Sequence, residues 1–201
     1  MIQKIVEKLI NKQSQNYAMT KEDEKIYRYG YILLCEVALN LVIALTIGIV
    51  FSKTKEIMLF LGIYIPLRSF CGGWHAKKIW QCTVISNAIL LLQVYGVENT
   101  RNCLSISGML VISSLNMIFV CLVAPVETKT KKISQEKKKI YKRKLKLILF
   151  LHVIAMIITT LFDISEFIFS MMLAYIILSA MLLMEVIKQK LPSQNKDASI
   201  L

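Results

Sequence analysis

The sequence predicts an all-α, polytopic integral membrane protein, and three observations predict it. Of the 201 residues 56% are hydrophobic, and mean hydropathy is +0.57, more apolar character than a soluble core of this size needs. The apolar residues gather into six long runs divided by short charged segments. None of the runs alternates with the period of two that marks a β-barrel, which leaves helices as the way to satisfy backbone polar groups in lipid. With no internal repeat and no globular domain attached, residues 1–201 read as one membrane domain.

Taken in order, Ile2, Ile5, Val6, Leu9 and Ile10 recur at helical spacing with Lys4, Glu7, Lys8 and Lys12 on the opposite arc. An amphipathic helix over 2–13 follows, lying either on the inner leaflet or against the bundle ends. Thr20-Lys21-Glu22-Asp23 resembles a capping box, from which a helix runs into the first span. The spans are 31–51, 57–70, 83–97, 105–124, 145–162 and 164–187. A full crossing takes about 20 apolar residues, so the second and third, which are short, need length from the segment between them. Pro66 is expected to kink or end the second span just before Arg68. Residues 125–144 form a basic loop, with a charged helix on the lipid surface from Ser134 onward. Asp163 and Glu166 fit an outer turn, and His152, inside the fifth span, reads as a packed or hydrogen-bonded histidine.

Orientation follows from the cations, because cytoplasmic segments collect Lys and Arg. Six spans put both termini on one side. With that side inside, only Lys53, Lys55 and Arg101 of the 25 Lys and Arg fall outside. The net charge of +12 then matches anionic membrane lipids and calls for no nucleic acid. Five cysteines are an odd number, and thiols facing the cytosol stay reduced. The N-terminus does not read as a cleavable signal, since about thirty mostly polar residues precede the first apolar run.

Chemistry concentrates in Arg68-Ser69-Phe70-Cys71-Gly72-Gly73-Trp74-His75-Ala76-Lys77-Lys78-Ile79-Trp80-Gln81-Cys82. A cysteine attacks as its thiolate and needs a base or a positive environment. His75 is a base suited to neutral pH, while Arg68, Lys77 and Lys78 supply positive potential. Cys82 is therefore the candidate nucleophile. Gly72 and Gly73 let the backbone turn tightly and bring bare N–H groups near a substrate, as a developing oxyanion requires. On one straight helix, residues 75 and 82 would stand about 10.5 Å apart along the axis, so the helix is expected to break or begin between them. Cys82 would then lie near a helix end, where the dipole favours the thiolate. Glu36 and Asn40, one turn apart in the first span, share a face that either lines a peptide groove or makes a structural interhelical bond.

This constellation resembles the accessory gene regulator B (AgrB) family of quorum-sensing membrane peptidases. The likeness rests on Arg68, Gly72-Gly73, His75-Ala76 and Cys82 at a His-x6-Cys spacing. It extends to Ala124-Pro125-Val126-Glu127 after the fourth span, to the chain length, and to the six apolar runs with a basic penultimate loop. The resemblance implies a cysteine endopeptidase of the bacterial cell membrane, without a cofactor or metal, acting on an AgrD-type precursor peptide. Cys82 would be the nucleophile, His75 the general base, and Arg68 and Gly73 residues needed for activity. A Cys or Ser side chain of the peptide would intercept the thioester, giving a cyclic thiolactone or lactone. Cys71 departs from the small residue expected there and is open to three roles: packing, oxidation or assistance. The group that orients the imidazole also stays open among Gln81, Glu36 and a backbone carbonyl. A homodimer is expected. Competing readings are zinc held by Cys71, His75 and Cys82, which lacks a nearby fourth ligand, and a small transporter lined by Glu36 and Asn40, which leaves the cassette idle.

Overall fold

The computed structural model describes residues 2–16, 20–72, 79–127 and 134–190, and over these the chain is a bundle of seven helices. They are α1 (Ile2–Asn16), α2 (Lys21–Val50), α3 (Thr54–Cys71), α4 (Ile79–Cys103), α5 (Ile106–Val123), α6 (Gln135–Leu161) and α7 (Ser165–Lys190). Four of them, α2, α5, α6 and α7, are long and apolar enough to cross a membrane. Their outward faces carry large exposed apolar side chains such as Val42, Ile49, Leu122, Phe150 and Leu161. In water that surface would be unfavourable; against lipid tails it is the expected one. The protein is an all-α membrane protein.

Start signals in the sequence account for the helix beginnings. Thr20 accepts from the Asp23 N–H while the Asp23 carboxylate accepts from the Thr20 N–H, a complete capping box opening α2. Ser105 and Ser134 cap α5 and α6 in the same way, each side-chain oxygen accepting the N–H three residues on. α2 and α3 meet in a tight turn in which Gly48 lies against Thr54, and Asp163 takes a positive φ in the turn between α6 and α7.

Three expectations need correction. Of the two outcomes expected at Pro66, a kink or an end, the end does not occur: α3 continues through it to Cys71, because a proline inside a helix removes one backbone bond, to the residue four before it, and the remaining ladder persists. Residues 135–144 are not a separate surface helix or loop, since Ser134 starts a helix that runs unbroken from the basic stretch to Leu161, with no Gly or Pro to interrupt it. α4 extends beyond 83–97, taking in Ile79 to Cys103, so the short apolar run is part of a longer helix with a polar C-terminal end.

The core is built around α7, more than half of whose apolar window is buried, against 12% for α2 and 17% for α5 and α6. Tyr175, Leu178 and Leu182 from α7 pack with Ile57, Phe60 and Leu67 from α3, Leu90 and Val94 from α4, and Val120 from α5. A second cluster joins Ile168, Phe169 and Met172 to Val97 and Met109. There Gly96 allows α4 and the Phe169 ring to meet, because a Cβ would run into that ring. The α1 stripe is used against the bundle: Val6 and Ile10 are buried, α1 packs on α2, and the Tyr31 hydroxyl donates to Gln13 Oε1 at 2.6 Å. His152 Nδ1 is 2.9 Å from the Tyr175 hydroxyl, the hydrogen-bonded role expected for it.

Candidate active site

At one end of the bundle the last turn of α3, residues 124–127, the start of α6 and the end of α7 converge. Gly72 closes α3 with φ +72° and ψ −142°, a region of backbone space that is essentially glycine's alone. This turn throws Gly72 alongside Val126, with which it forms an isolated parallel bridge, and the Val126 N–H donates to the Cys71 carbonyl at 2.9 Å. A Cβ on residue 72 would collide with the Val126 carbonyl oxygen. Both torsion and space therefore demand glycine here. The Arg68 guanidinium reaches one turn along α3 and donates to the Gly72 carbonyl, satisfying an acceptor that the helix end leaves open.

Residues 124–127 are fixed in turn. Ala124 and Val126 are buried in the core. The Glu127 carboxylate is 3.3 Å from the Lys138 ammonium on α6, and its backbone carbonyl accepts from the Gln189 side chain on α7. Just before Cys71, the Phe70 ring meets Tyr141 edge-on with centroids 5.7 Å apart, and the Lys144 ammonium lies 5.4 Å from the Phe70 centroid. Two lysines of the basic stretch thus bind the end of α3 and its neighbour.

Cys82 lies on α4, in the part nearest the cassette among the described residues. Seven and eleven residues further along that helix, and so on nearly the same face, are Ile89, packed on the core, and Gln93, which is fully buried and donates to Ser170 Oγ at 2.6 Å. The Cys82 side chain, and the whole of Gly73, His75, Lys77 and Lys78, lie outside the described residues. Cys71 is completely buried in the core. Of the three roles left open for it, packing is the one its surroundings fit.

Glu36 and Asn40 lie on the face of α2 that continues through Ala44 and Ile47 into the core, and both are half-buried. The structure thus turns them inward, with Asn40 Oδ1 buried and without a hydrogen-bond partner among the described residues. Asn87 Oδ1 on α4 is in the same condition, and sequence reasoning did not single it out. The pairing of Gly72 with Val126, the Glu127 contacts and the Phe70 cluster were likewise missed. The one available signal was the Ala124-Pro125-Val126-Glu127 segment, which carried the family likeness without declaring a role.

Fold and site together define a helical membrane protein whose cysteine-bearing helix starts just beyond a glycine-turned segment at a basic end of the bundle. The sequence pattern of the accessory gene regulator B family, AgrB, matches residues 2–188, and the chain belongs to that family. Among curated proteins it is similar to AgrB-like protein 2 of Clostridium perfringens strain 13, with 28% identity over 145 residues, 69% of this chain and 67% of the relative. A second AgrB-like protein, from Clostridium perfringens strain SM101, is 28% identical over 144 residues, with the same coverage. No solved structure matches the chain significantly.

Proposed function

We propose that this protein is a cysteine endopeptidase of a bacterial quorum-sensing system, cutting an AgrD-type precursor peptide and promoting its cyclisation. The observation that carries the reading is the family match over residues 2–188, in a chain whose α4 carries Cys82. A positive environment favours an anionic sulfur.

In this mechanism His75 accepts the Cys82 proton as the sulfur attacks the scissile carbonyl. The tetrahedral oxyanion collapses, the C–N bond breaks, and His75 returns the proton to the leaving amine, freeing the C-terminal fragment. The remaining thioester is attacked by a Cys or Ser side chain of the same peptide. That group loses its proton to His75, Cys82 leaves and is reprotonated, and a thiolactone or lactone is released. Water competes for the same thioester, so a site at the membrane border favours the ring. Gly72 and Gly73 shape the backbone beside the oxyanion, and Arg68, which holds the Gly72 carbonyl, keeps that turn in place. Lys77 and Lys78 add positive potential, and the inward face of Glu36 and Asn40 receives the peptide.

The protein works in the plasma membrane as a multi-pass protein with six spans, α3 and α4 supplying the two beyond α2, α5, α6 and α7. Its termini and cassette are cytoplasmic, its basic segments rest on anionic lipid, and it acts as a homodimer. The test is co-expression with the short peptide expected to be encoded beside its gene, comparing wild type with Cys82→Ala and His75→Ala by mass spectrometry of the peptide. Both variants are expected to leave the precursor intact. Trimming by either one refutes the assignment of that residue.

A further inference from the structure

We infer that Glu127 is a positioning residue for the site: with Val126 it forms a clamp that fixes where the cassette leaves α3. This rests on the proposed peptidase reading and adds a part to it that neither the cassette nor the family match names. The chain between Gly72 and α4 carries the candidate base, and its start is held by one backbone hydrogen bond from Val126, the 2.9 Å bond to the Cys71 carbonyl. Val126 is itself held from the other side. Glu127, the next residue, is tied to α6 through Lys138 at 3.3 Å and to α7 through Gln189. Two helices distant in sequence from α3, namely α6 and α7, thereby set one turn of backbone.

Exposure separates a positioning role from simple cohesion. The Glu127 and Lys138 side chains are 38% and 35% exposed, and ion pairs so open to solvent add little to stability. Their removal should therefore leave the bundle folded. A nucleophile and its base, by contrast, lose rate steeply with displacement, a misplacement of 1 Å costing about 100-fold. The clamp thus predicts a variant that is stable and slow.

The experiment uses the full-length protein in liposomes with the AgrD-type peptide expected to be encoded beside its gene, and compares Glu127→Gln, Lys138→Gln, the exchange Glu127→Lys with Lys138→Glu, and Cys82→Ala. Cleavage kcat and KM, iodoacetamide labelling of Cys82 at pH 7 and the melting temperature are measured for each. Glu127→Gln and Lys138→Gln are expected to lower kcat about 10-fold or more, with KM and melting temperature held, and the exchange to recover most of the loss. Wild-type kcat in Glu127→Gln, or a loss that follows a fall in melting temperature, overturns the clamp while the peptidase reading stands. Cleavage by Cys82→Ala refutes the peptidase reading itself, whatever Glu127 does, and the labelling rate of Cys82 then shows whether the clamp still shapes that end of the bundle.

Discussion

Replacing Gly72 with alanine tests the turn on which the site geometry depends, and the structure supplies both parts of the cost. At φ +72° and ψ −142° a residue with a Cβ is strained by about 1–3 kcal/mol. The same Cβ collides with the Val126 carbonyl oxygen. If the backbone relaxes to escape, the bond from Val126 to Cys71 is lost, worth about 1 kcal/mol. A destabilisation of about 1–3 kcal/mol follows, which for a chain of this size lowers the melting temperature by about 2–12 °C. Cleavage should fall further than stability, because the displaced turn leads directly into the cassette. The control is Gly62→Ala on α3, where none of the described residues lies within 4 Å of the added methyl and a helix interior prefers alanine by about 1 kcal/mol. Thermal melting in detergent, with peptide cleavage on the same samples, reads both. A Gly72→Ala protein that melts and cleaves like wild type while Gly62→Ala is also neutral refutes the argument.

Three further outcomes are expected. Gly96→Ala forces a methyl into the Phe169 ring and should cost about 1–3 kcal/mol, with part of the loss returned by Phe169→Leu in the same chain; melting curves decide it. Tyr175→Phe removes the partner of His152 and should cost about 0.5–2 kcal/mol, the range of interhelical hydrogen bonds in membranes, measured by the same melts. Iodoacetamide should leave Cys71, which has no exposed surface, unmodified in the folded protein and label it once the protein is unfolded in denaturant; peptide-resolved mass spectrometry that finds it labelled in the native state contradicts the burial.

Much of the fold was legible because lipid imposes a simple grammar. Apolar run length gave six of the helices, the capping box at Thr20 gave the start of α2, and the spacing of Val6 and Ile10 gave the buried face of α1. The sequence could not say how far α4 and α6 extend, since polar helix ends continue the same backbone ladder without an apolar mark. Pro66 left a kink and an end both open, and the helix does not end there because a proline costs a fixed amount that a well-packed helix tolerates. Of the site, the sequence marked Arg68, Gly72, Glu36 and Asn40 as candidates without showing their partners. What brings them into place was hidden, since the contact of Cys71 with Val126 joins positions 55 residues apart and leaves no periodic trace. Lys138 and Lys144 looked like members of a uniform basic run, and only three-dimensional proximity distinguishes them.

The placement of α7 at the centre bears on how such a chain is made. The helix with the greatest share of its surface enclosed is the last to leave the ribosome among those described, and it touches α3, α4, α5 and α6. Until it arrives, the earlier helices can enter the bilayer one by one but have no common column to close around. Assembly of the interior must therefore wait until α7 has been made, and fragments that stop before residue 165 should insert as loose segments open to lateral escape and membrane proteolysis.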